Sequence, residues 1–181
     1  PTRRVFSVIY NPRIKGKGNH KLTEVTSWND PDRLASQYIQ DIRHVSHGYA
    51  NFEVVEQIEV ERFPIKADGF VYDGDEYVHC LRAGRGFHKP DGADYHRILA
   101  DFDIIAKINS GAIDEVWLFA FPYAGFWESH MAGPGAFWCN SPAMTNTDQA
   151  RRRFVIMGFS FERGVGEMLE NLGHRAESTI E

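Results

Sequence analysis

A chain of 181 residues has room for one domain with a substantial core and too little for two, so a single domain spanning 1–181 is expected. Hydrophobic residues are 43% and charged residues 25%, ordinary globular usage, and no apolar run nears the roughly 20 residues of a membrane helix, which excludes disorder and a membrane span. A net charge of −5 leaves no basic surplus for phosphate contacts, so nucleic acid is set aside as a partner.

The chain starts at Pro1, not Met, without an apolar leader, which suggests a trimmed start. Val5 to Tyr10 is β-branched and aromatic and is closed by Asn11-Pro12, the pattern of a first strand. Arg13 to His20 reads as a mobile surface loop. Its Lys15-Gly16-Lys17-Gly18 lacks the Gly-Lys-Ser/Thr ending and following helix of a phosphate loop. Asn29-Asp30-Pro31 starts a helix, with Asp30 as cap and Leu34, Tyr38, Ile42 and Val45 on one face; His44 and His47 fall in its last turn and Gly48 at its end.

Phe52 to Val60 suits a strand near a sheet edge, stopped by Pro64. Asp68-Gly69 and Asp73-Gly74 mark turns, and Glu76 to Leu81 is a short helix or strand. Ala83 to Pro90 is a glycine-rich loop carrying Arg85, His88 and Lys89. Asp91 is expected to cap one long helix in which Tyr95, Ile98, Leu99, Phe102, Ile105 and Ile108 form a stripe ending at Gly111.

Val116 to Phe121 is a fully buried strand that runs into a long aromatic, glycine-rich loop to Cys139. Arg153 to Phe159 is another buried strand. Ser160 is expected to cap a helix with Val165, Met168, Leu169 and Leu172 inward, and Gly173-His174 to end it before a last strand at Arg175 to Ile180. The alternation predicts an α/β fold: three-layer α/β/α with a mostly parallel, Rossmann-like or flavodoxin-like sheet. A strand ending flush with Glu181 has no covered edge, which implies an incomplete C-terminal end and a chain that is the N-terminal part of a longer protein. Cys80 and Cys139 are too few for a disulfide framework and lack metal-ligand spacing; a single bridge would favour an oxidising compartment, and two buried thiols are equally ordinary.

Open parallel sheets bind ligands outside the carboxyl ends of their strands. That rule gathers Asn11, then Tyr123, Glu128, Ser129 and His130, then Ser160, Glu162 and Arg163. Gly158-Phe159-Ser160-Phe161-Glu162 resembles a nucleophile elbow with Glu162 at the closing glycine position. Glu128 and Glu162 can form an acid–base pair with less geometry to satisfy, and Tyr123, Phe126, Trp127, Phe137 and Trp138 can stack on sugar rings or simply cover the sheet end. A metal held by Glu128, His130 and His174 would lack any strong ligand motif, so no metal and no cofactor are assigned.

Five blocks carry a family resemblance: Trp28-Asn29-Asp30-Pro31, Lys66-Ala67-Asp68-Gly69-Phe70, Ile113-Asp114-Glu115-Val116-Trp117, Met131 to Asn140, and Arg163 to Glu170. Together they resemble an uncharacterised family of bacterial α/β modules that are secreted and occur in multidomain proteins. The resemblance implies an extracytoplasmic setting and neighbouring domains as partners, but no catalytic role. The reading is therefore an extracytoplasmic module with a hydrolase-type site for carbohydrate, ester or peptide. Its catalytic residues are Glu128, His130, Glu162, Arg163 and Ser160, with Asn11, Tyr123, Trp127 and Trp138 binding a glycan or peptide. The alternative is a non-catalytic carbohydrate-binding or scaffold module.

Overall fold

The computed structural model describes residues 2–180. In chain order the elements are β1 (Thr2–Tyr10), β2 (Arg13–Ile14), a short 3-10 turn, β3 (His20–Lys21), α1 (Leu22–Thr26), α2 (Pro31–Val45), β4 (Asn51–Val60), α3 (Gly74–Ala83), α4 (Tyr95–Asp101), α5 (Ile104–Asn109), β5 (Glu115–Ala120), β6 (Ser129–Ala132), β7 (Phe154–Ser160) and α6 (Val165–Ile180). Five strands form one sheet in the order β4-β1-β5-β7-β6, flanked by helices. β4, β1, β5 and β7 run parallel, and only β6 runs antiparallel, against β7. Among the described residues no helix is long and apolar enough to cross a membrane.

The two central strands follow directly from their sequences. Every residue of β5 is buried, and β7 is buried up to Phe159, as continuous apolar runs require of strands covered on both faces. Register partners share a face, so Trp117, Met157 and Phe159 lie together; Tyr38 of α2 packs on Trp117 and Phe159 at 5.2 and 5.3 Å between ring centres. Phe6 and Tyr10 of β1 meet Phe102 at 6.0 and 6.4 Å. α2 begins as expected: the Asp30 carboxylate accepts the Asp32 N–H at 2.9 Å, with Pro31 in the first turn.

Four expectations are corrected. Arg175 to Ile180 is helix, not strand: α6 runs through Gly173 without a break, so the sheet's edges are β4 and β6 and the inference from an uncovered final strand falls. A buried ion pair explains why. Both Oε atoms of Glu115, at the start of β5, accept hydrogen bonds from the Arg175 guanidinium at 3.0 and 2.9 Å, which holds the second half of the helix on the sheet.

The long helix after Asp91 is two. Asp94, not Asp91, caps α4, accepting the Arg97 N–H at 3.0 Å, and Asp103 breaks the run at φ 52°, a conformation aspartate tolerates. The break shifts the inward register by one residue, so Ile104 is buried in place of Ile105. Ser160 caps nothing, because it is the last residue of β7 and α6 starts at Val165. The region from Arg13 to His20 is a small hairpin with Ile14 fully buried, not a loose loop. Cys80 and Cys139 are both buried and free, so no bridge joins them.

Candidate functional site

A cleft of about 420 Å³ opens at the carboxyl ends of β5 and β7. The segment Phe121–Phe126 forms one wall, the turn Ser160–Gly164 the floor, and Glu167, Met168 and Asn171 of α6 the other wall. Three interactions fix these walls. The Asn171 amide donates to the Gly158 carbonyl at 3.2 Å, tying α6 to β7. Asn29, just before α2, donates through its backbone N–H and its amide to the Phe161 carbonyl at 2.9 and 3.2 Å, and through its amide to the Arg163 carbonyl at 2.9 Å. The Gly158 N–H donates to the Glu128 carbonyl at 3.1 Å, and Gly158 has to be glycine because a Cβ there would collide with the Trp127 carbonyl and the Phe126 side chain.

The wall carrying Tyr123 is held from behind by a fully buried lysine. Lys66 Nζ donates to Asp91 Oδ1, the Asp91 carbonyl and the Tyr123 carbonyl, each at 2.6 Å, which uses all three of its hydrogens. Burial pushes its ammonium below the ordinary lysine value, and Asp91 opposes that shift. Gly125, at φ 90°, leaves no room for a Cβ beside the Asp91 carbonyl. Tyr123 sits at φ 62° with its ring stacked 3.6 Å from Phe87, so the loop holds a conformation that few non-glycine residues adopt.

Of the expected site residues, Glu128, Ser160, Glu162, Arg163 and Tyr123 line this one cleft. The Glu128 carboxylate accepts a hydrogen bond from the Asn140 amide. Arg163 Nε lies 3.9 Å from Glu162 Oε2, both side chains being well exposed. Ser160 Oγ is buried and has no hydrogen-bond partner, hence no base to activate it; the elbow reading fails on this and on the absence of a helix directly after the serine. Glu167 accepts the Gly164 N–H at 3.2 Å, so the first turn of α6 is met by its own glutamate.

The remaining expected residues lie elsewhere. Asn11 is buried and bound to Thr23, donating to its hydroxyl at 3.0 Å and accepting its N–H at 3.2 Å, which anchors α1 to the end of β1. Trp138 sits on the Gly133–Cys139 loop outside the cleft, two residues before Asn140, whose N–H donates to the Ser178 hydroxyl near the end of α6. His130 is on β6 and faces a separate groove with Trp127. Consequently Glu128, His130 and His174 do not converge, although the Glu128 charge, after the contact with Glu177, helps push His174 above its ordinary value. Among the described residues, no group of three or more His, Cys, Asp or Glu could hold a metal ion.

Comparison with known protein families, characterised proteins and solved structures finds no match. The chain's chemistry therefore has to be read from its own geometry. Two long-range ties shape the cleft: Asn29 holds the Phe161–Arg163 turn, and Lys66 holds the Tyr123 wall. Neither was legible as a site residue in the sequence. An asparagine ahead of a helix looks like a cap, and a lysine in a turn looks solvent-exposed, until the fold brings the carbonyls of distant segments to each.

Proposed function

We propose that the cleft is a hydrolase-type site for a carbohydrate, with Glu128 and Glu162 as its acid–base pair. One carboxyl would protonate the bridging oxygen of the scissile bond while the other draws the proton from the attacking water. Arg163 would orient Glu162, and the Tyr123 and Phe126 rings would pack on a sugar ring. The observation that carries the reading is that one cleft at the carboxyl edge of a mostly parallel sheet gathers Glu128 and Glu162, with Asp91 and Glu167 as further acids in its lining, together with Arg163 and the aromatic residues Tyr123 and Phe126. Ester or peptide chemistry through a serine is disfavoured because Ser160 Oγ has no partner.

The fold supports the location. We read it as a Rossmann-like, three-layer arrangement, because Tyr38 of α2 and Phe102 after α4 pack on sheet residues of opposite parity, and the cleft lies at the carboxyl ends of the adjacent parallel strands β5 and β7. The family resemblance supports an extracytoplasmic setting for such a site.

The test is turnover of a panel of reducing-end-labelled oligosaccharides by the wild type, E128Q and E162Q. Each variant is expected to lose about 10²–10⁴ in kcat while its unfolding temperature stays put. Full activity in both variants would contradict the proposal. A second reading, a non-catalytic module docking on a neighbouring domain, is favoured by Trp138 and Ile180, which expose 62% and 85% of their surface. It predicts no turnover of any oligosaccharide by the wild type.

A further inference from the structure

A second concavity, of about 330 Å³, lies on the other side of the Phe126–Glu128 segment and is lined by Trp127, His130, His96, Asp94 and Thr145. Phe126 and Glu128 line the cleft while Trp127 lines this groove, so the two share a wall one residue thick. The Trp127 backbone is tightly held: its N–H donates to the buried Tyr95 hydroxyl at 2.8 Å, and its carbonyl packs where Gly158 lacks a side chain. Trp127 is nevertheless 47% exposed as a residue. A large ring left half in water on an immobilised stem is a poor way to fill a core and a good way to present a flat apolar face.

His130 supplies the polar counterpart. It is only 8% exposed, its ring lies 4.6 Å from Tyr95, and Nδ1 is 2.8 Å from Ser141 Oγ. Ser141 Oγ donates to the Ser129 carbonyl at 2.9 Å, so it accepts from Nδ1–H, and Nε2 is left as the acceptor of the imidazole. Burial, and then the charge of His96, push His130 below its ordinary value, which favours this neutral form. Asp94 adds a carboxylate and Thr145 a hydroxyl, and the groove has no arginine or lysine that would call for an anion. An exposed indole face, a neutral ring acceptor and short polar side chains match an uncharged ring with one apolar face and hydroxyls around its rim.

We propose that this groove is a second binding site that takes one neutral sugar ring, its apolar face on the Trp127 indole and its hydroxyls on His130 and Asp94. On the glycosidase reading above, on which this extension rests, the groove holds a ring of the same oligosaccharide whose neighbouring unit lies in the cleft.

The experiment is an NMR titration of the 15N-labelled chain with cello-, xylo-, manno- and chito-tetraose, with adenosine and N-acetyltryptophan amide as flat-ring controls. At least one tetraose is expected to shift the Trp127 indole N–H, and W127A to weaken that sugar by about tenfold, the scale of one aromatic platform. H130Q should weaken it as well. W127F serves if W127A does not fold, with a smaller expected loss. A sugar that binds at Trp127 but is never cleaved supports the groove and removes the glycosidase reading. The groove itself is overturned if no sugar moves the indole signal, if W127A or W127F binds as the wild type does, or if only adenosine or the tryptophan amide shifts it.

Discussion

At the scale of single residues, the wall behind Tyr123 depends on Lys66. Replacing it with Met fills much of the volume but strips two carbonyls and the Asp91 carboxylate of their donor, so K66M should lose about 3 kcal/mol in urea unfolding. Unchanged stability would mean that the ammonium contributes nothing net. His130 yields a pH prediction. Its folded value lies below the ordinary 6.5, so the unfolded chain binds the proton more readily; stability is complete above about 6.5 and declines as pH falls below it. H130Q should flatten that decline, measured as urea midpoints from pH 7.5 to 5. Asp114 acts lower on the scale. Burial raises its carboxyl, but hydrogen bonds from Arg4 and the Arg152 charge outweigh it and bring it to about 2, so its share of stability is present above the ordinary 3.8 and is lost toward about 2. Glu162 and Tyr123 were legible in the sequence because they closely follow apolar strands, and Glu128 because it lies in the loop that leaves β5, whereas Glu167 sits inside α6 and was not. His130 was gathered by the same rule and misplaced, since a four-residue strand with no β-branched residue leaves no pattern by which to see that it turns the ring away from the cleft.

Among elements, α6 carries the clearest lesson. A glycine followed by histidine resembles a helix end, but a ladder of inward residues and the Arg175–Glu115 pair outweigh the roughly 1 kcal/mol that one interior glycine costs. Two variants follow. A Cβ at Gly173 would meet nothing within 4 Å, so G173A should stabilise the chain by about 0.5–1 kcal/mol, whereas a strand turn there would make it neutral or worse. E115A strands a buried guanidinium and frees the Trp117 indole N–H that Glu115 also accepts; it should lose about 3–5 kcal/mol in chemical denaturation. The α4–α5 break escaped the periodicity because an apolar residue stands at both 104 and 105, and a helical stripe can be traced through either. Strands β1, β5 and β7 and helix α2 were legible because a continuous apolar run, or a cap with a one-sided stripe, has only one way to be buried.

For the whole molecule, the rule that ligands gather at the carboxyl ends of parallel strands located the cleft from sequence, and the sheet order accounts for it: β5 and β7 are adjacent, so the residues after each are brought together. What the sequence left illegible were the long-range ties, Asn29 to the Phe161–Arg163 turn and Lys66 to the Tyr123 wall, because each joins segments far apart in the chain. The central claim is that Glu128 and Glu162 act on one ligand in one cleft. It is tested most directly by a crystal structure of E128Q, inactive but intact, grown with the oligosaccharide that the wild type turns over. The account predicts a sugar in the cleft with its bridging oxygen between residues 128 and 162 and a ring against Tyr123. A sugar bound only at Trp138, or anywhere outside the cleft, would contradict it.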